Sequence, residues 1–103
     1  MIGLGKWACS VNTMFFSGDV EFEIFDNNGE YGFNIDIPGI KVPDIKVKEV
    51  DEDDDTITAT VETSLLEGKD ITLFVTIDDD TFDGYLKIPF FGKVKLKNGR
   101  KIG

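Results

Sequence analysis

Histidine is missing from this chain altogether, and cysteine occurs once, at Cys9. Without imidazole the commonest general base is gone, together with the usual activator of serine and cysteine nucleophiles and most zinc sites. Catalysis would have to rest on carboxylates alone, and the chain reads as a non-enzyme. A single cysteine excludes an intramolecular disulfide. Nothing in its neighbourhood supplies the electropositive setting of a reactive thiol, so Cys9 is read as a small buried hydrophobe. Long apolar runs are also lacking: none approaches the roughly 20 residues of a spanning helix, and no membrane span is expected. The opening MIGLGKW has no basic stretch followed by an apolar one, so no secretory signal is visible and the expected location is cytoplasmic. No segment of ten or more residues carries helical periodicity.

What is present is alternation. Residues 1–103 are one domain's worth of chain, and 41% hydrophobic content argues for a packed core despite 30% charged residues. The stretch Asp70–Pro89 organises the rest. With Asp79-Asp80 as a two-residue turn, Ile77 meets Phe82, Val75 meets Gly84, Leu73 meets Leu86 and Ile71 meets Ile88, all on one face. The other face carries Thr72 against Lys87, Phe74 against Tyr85 and Thr76 against Asp83. Asn28-Gly29 is a strong hairpin signal that pairs Ile24 with Phe33, Phe22 with Ile35 and Val20 with Ile37. It also sets Phe25 opposite Gly32, where a ring can cover bare backbone.

A first strand over Lys6–Phe16 is expected to turn at Ser17-Gly18 and to pair Phe15 with Val20, Thr13 with Phe22 and Val11 with Ile24. Pro38, Gly39 and Pro43 exclude a central strand between them and imply a wide connection or an edge. A fourth strand, Ile45–Val50, slips phase at Glu49-Val50, which implies a bulge. Asp51–Asp55 is read as the turn into a strand over Thr56–Thr63 with Ile57, Ala59 and Val61 inward. Lys93–Lys97 is the last strand, and Asn98-Gly99 reads as one more turn. Eight short strands joined mostly by hairpins predict an all-β, antiparallel, up-and-down eight-stranded barrel, with a β-sandwich as the runner-up. Closure is expected to remove both sheet edges.

Charge sorts the candidate partners. The net charge is −9, which argues against nucleic acid. Residues 86–103, however, hold Lys87, Lys93, Lys95, Lys97, Arg100 and Lys101 and no acid. Such a basic strand aids sheet closure or accepts an acidic partner. The acidic groups Asp78, Asp80, Asp83 and Asp51–Asp55 match no twelve-residue calcium loop, and aspartate is favoured in turns anyway, so neither metal nor cofactor is expected. Glu49, at the phase slip, is the one strand carboxylate that the pattern could turn inward; the bulge reading keeps it in solvent.

Gly5-Lys6-Trp7 opens the first strand of this meander. A G-x-W there resembles the calycin superfamily of lipocalin-like and fatty-acid-binding-like barrels. The resemblance implies that Trp7 packs across the closed end, that Arg100 matches an arginine lying on that ring, and that the interior holds a small apolar ligand. Bulky inward residues, Trp7, Phe15, Phe22, Phe33 and Phe82, go far toward filling a narrow lumen, and Cys9, Thr13, Ala59 and Gly84 mark where space is left. Two functions follow. The first is binding of a small apolar ligand inside, around Trp7, Thr13, Phe22, Phe33, Ala59, Phe82 and Gly84. The alternative is a protein-interaction or structural module, monomer or homodimer, using the exposed aromatic and basic residues Phe74, Tyr85, Lys93 and Lys95.

Overall fold

The computed structural model describes residues 1–13, 17–37, 45–64, 69–89 and 92–103. The period-two alternation yields eight strands: β1 (Gly5–Asn12), β2 (Ser17–Asn27), β3 (Glu30–Asp36), β4 (Lys46–Asp53), β5 (Thr56–Glu62), β6 (Asp70–Asp78), β7 (Thr81–Ile88) and β8 (Gly92–Lys101). They form one antiparallel sheet in the order β3-β2-β1-β8-β7-β6-β5-β4. The first strand is hydrogen-bonded to the last, so the meander wraps into a nearly closed barrel and not a sandwich. Closure is incomplete at one place only in this ring. Among the described residues β3 and β4, consecutive in the chain, form no ladder with each other. The expectation that closure removes every edge is therefore corrected. The wide connection expected around Pro38, Gly39 and Pro43 falls on 38–44, which lie outside the described residues.

Two hairpins have the expected register. Phe22 faces Ile35, Ile24 faces Phe33 and Phe25 faces Gly32. In the other, Leu73 faces Leu86, Phe74 faces Tyr85, Val75 faces Gly84 and Ile77 faces Phe82. The turns Asn28-Gly29, Asp54-Asp55 and Asp79-Asp80 each start on a residue with φ near +55°, a conformation that Asn and Asp tolerate better than other side chains. The Asp26 carboxylate accepts the Gly29 N–H at 2.7 Å and so holds the first of them.

Three sequence expectations are corrected. Ser17-Gly18 is not a turn: β1 ends at Asn12, Val11 faces Gly18 instead of Ile24, and Phe22 faces Trp7 instead of Thr13. Polar pairs favour this register, since Ser17 donates to Asn12 at 2.6 Å and Ser10 to Asp19 at 2.9 Å. It also brings Phe22 and Trp7 together on Phe82. The slip is even, so the inward set survives; Phe15 lies outside the described residues. Asp51–Asp53 extend β4, and only Asp54-Asp55 turn. Asn98-Gly99 is a bulge within β8, which continues to Lys101. The register shifts there against both β1 and β7. The expected slip in β4 is present between Val47 and Glu49, and it leaves Glu49 exposed and Val50 half-buried against the core.

Alternate residues of every strand meet inside. Phe82 sits at the centre, edge-to-face with Trp7 at 5.7 Å and with Phe22 at 5.2 Å between ring centroids. Trp7, Ile24, Ile57 and Val75 are almost fully buried. The chain start crosses the mouth at this end. Ile2 N–H donates to the Tyr31 hydroxyl at 2.8 Å, and Gly3 C=O accepts the Trp7 indole N–H at 2.8 Å. Backbone bonds between Lys6 and residues Ile102 and Gly103 fasten the chain end beside it. Among the described residues no helix is long and apolar enough to cross a membrane.

Candidate functional site

Among the described residues the inward side chains are closely packed. A void of about 20 Å³ remains, entirely apolar, among residues that include Cys9, Phe22, Phe33, Val61, Leu73 and Leu96. One water needs roughly 10–15 Å³ by this measure, so the space is water-sized and not lipid-sized. Of the residues expected around a ligand, Phe22 and Phe33 line the void. Trp7, Ala59 and Phe82 are buried in the packed core outside its lining, and Thr13 is half-buried just past the end of β1. Gly84 leaves no space: a Cβ there would stand 2.0 Å from the Phe74 carbonyl oxygen. Cys9 does border the void, and burial pushes its thiol up to about 11, the character of an inert core group.

The outer surface of β5 to β8 is more articulate. Cross-strand neighbours form two rows, Thr58–Phe74–Tyr85–Lys95 and Thr60–Thr72–Lys87–Lys93. Phe74 and Tyr85 stack with centroids 5.1 Å apart and planes 17° apart. The Lys93 ammonium lies 4.1 Å from the Tyr85 ring centroid, within cation–π range. Phe74, Tyr85, Lys93 and Lys95, the four residues singled out for interaction, thus border one shallow open depression with Thr76 and Asp83. Lys87, named with the basic residues of 86–103 but not among those four, stands opposite Lys93. The two are direct cross-strand partners, and like charges so placed repel. The ion pairs seen among the described residues are Lys48 with Glu62 and Asp70, and Arg100 with Asp19; none engages Lys87, Lys93 or Lys95.

At the β3–β4 seam, Tyr31 turns inward beside Phe33 and its hydroxyl donates to Glu52 across the gap. Burial and this carboxylate together push the Tyr31 hydroxyl above the ordinary tyrosine range. Tyr31 was legible as inward from the parity of Phe33 and Ile35; Glu52 was not, because the aspartate-rich run read as a loop. Over Trp7 the cation is Lys101, 5.9 Å from the ring, and not Arg100, which faces Ala8 and reaches Asp19. The bulge at Asn98 sets this choice. Among the described residues no three acidic or cysteine side chains converge as a metal cage would require. Compared with known proteins, the chain matches no family model, no curated protein and no solved structure.

Proposed function

We propose that this barrel is a non-catalytic interaction module whose β6–β8 outer face docks an acidic segment of another protein. The observation that carries the reading is the Lys87–Lys93 pair beside the Phe74–Tyr85 stack. Two lysines placed directly opposite, with no acid among the described residues in an ion pair with either, lower the stability of the isolated fold and gain from an anionic group set between them. The adjoining rings offer apolar contact, and the depression gives a partner's side chain a place to rest.

The direct test is titration with a capped ten-residue peptide alternating glutamate and phenylalanine. Saturable binding that weakens with salt, and that drops by about tenfold or more in Lys87→Glu and in Lys93→Glu, supports the proposal. Binding that survives both charge reversals, or none at all, overturns it. The likeness to calycin barrels supports a second reading, uptake of a small apolar molecule within. It rests on Gly5-Lys6-Trp7, the strand count and an all-apolar void lining, and it requires the core to open. An apolar dye displaced stoichiometrically by a fatty acid would favour that reading over the surface.

A further inference from the structure

We propose that the β3–β4 seam is a strand-acceptor site, taking one extended segment of a partner protein in which apolar residues alternate with lysine or arginine. Every other neighbouring pair of strands in the ring is hydrogen-bonded, whereas among the described residues β3 and β4 form no ladder with each other. No backbone hydrogen bond seen outside the ladders spans them. Edges without a ladder are templates for another strand, and here two such edges flank one gap.

The Tyr31–Glu52 contact crosses the gap, and clefts lie beside it among the described residues. A cleft of about 300 Å³ lies between Phe33 and Ile35 of β3 and Val47 of β4. A second, of about 370 Å³, lies between Glu30 and Tyr31 on one side and Lys48 to Val50 on the other. Half-buried Ile35, Val47 and Val50, packed against the core, provide the apolar side. The outward residues beside the gap are Glu30 and Asp36 on β3, and Glu49, Asp51 and Asp53 on β4. Against these stand Lys46 and Lys48, and Lys48 is already held 3.0 Å from Asp70. An inserted strand would set alternate side chains on the apolar interior and the others beside carboxylates, which fixes the pattern of the segment. A second copy of this chain fits less well, because pairing one edge with its twin leaves the other edge of each copy unmatched.

The probe is a capped eight-residue peptide alternating valine and lysine, added to the intact protein. The expected result is saturable binding with slowed amide exchange confined to β3 and β4. The same peptide N-methylated at alternate amides should lose binding, because ladder hydrogen bonds carry the affinity. The double variant Glu49→Lys/Asp51→Lys should weaken binding by about tenfold or more, whereas the same charge reversal at exposed Asp78 on β6, Asp78→Lys, should not. The proposal is overturned if protection falls elsewhere, if the N-methylated peptide binds equally, or if β3 and β4 are protected without peptide in a concentration-dependent dimer.

Discussion

Gly84 and Gly32 look interchangeable, each a glycine opposite a large neighbour, yet what fills the missing side chain differs. A Cβ on Gly84 would meet the Phe74 carbonyl at 2.0 Å, and backbone cannot step aside. A Cβ on Gly32 would meet only the Phe25 ring, at 2.3 Å, on the outer face. Gly84→Ala should therefore cost about 1–3 kcal/mol, the range of overpacking, and Gly32→Ala less as Phe25 rotates away. Thermal melts read the difference at roughly 4–8 °C per kcal/mol for a domain of this size. Equal losses would refute the distinction. Cys9 gives a second residue-scale test. With its thiol at about 11 against an ordinary 9.0, the folded protein at pH 8 carries about a hundredfold less thiolate than a free cysteine. Alkylation should accordingly be slow until denaturant is added. Because the folded value is the raised one, this group favours the fold below pH 9 and loses that contribution as pH climbs toward 11.

Among elements, β8 is the one that most needs its irregularity. The positive φ of Asn98 absorbs an extra residue, which keeps Arg100 outward and Lys101 over Trp7. Asn98→Val should cost about 1–2 kcal/mol, because β-branched residues resist that backbone region, while Asn98→Gly should melt close to the parent. Much of the architecture was legible beforehand for one reason: side-chain parity is read from every residue of a strand. Ile57, Ala59 and Val61, or Phe33 and Ile35, declare their face wherever the hairpin begins. Register hangs on one or two turn residues, and there the reading failed twice. Ser17-Gly18 and Asn98-Gly99 both have turn chemistry, and both were overruled by pairing partners remote in sequence. The candidate surface was legible at Phe74, Tyr85, Lys93 and Lys95, since one well-phased hairpin and its neighbour set them together. The open seam was visible only as two prolines.

For the whole molecule, the Tyr31–Glu52 contact spans the two edges, and Tyr31 also holds the chain start through Ile2. Tyr31→Phe deletes both interactions and should cost on the order of 1 kcal/mol while speeding amide exchange along β3 and β4. The pH dependence has a definite sign. A tyrosine whose folded pKa is raised stabilises the fold in its protonated form, so its contribution is intact below about pH 10 and fades as pH rises beyond that. The parent should show this alkaline loss more steeply than Tyr31→Phe, and identical alkaline profiles would sink the assignment. Because the seam separates consecutive strands, the backbone ladder joins β1–β3 to the other five strands, among the described residues, through the pairing of β1 with β8. During synthesis, then, β1–β3 wait for their partner strand until β8 has been made, and truncation after Pro89 would leave them without it. Such a truncated product should be bound by chaperones or degraded, although it lacks only one stave.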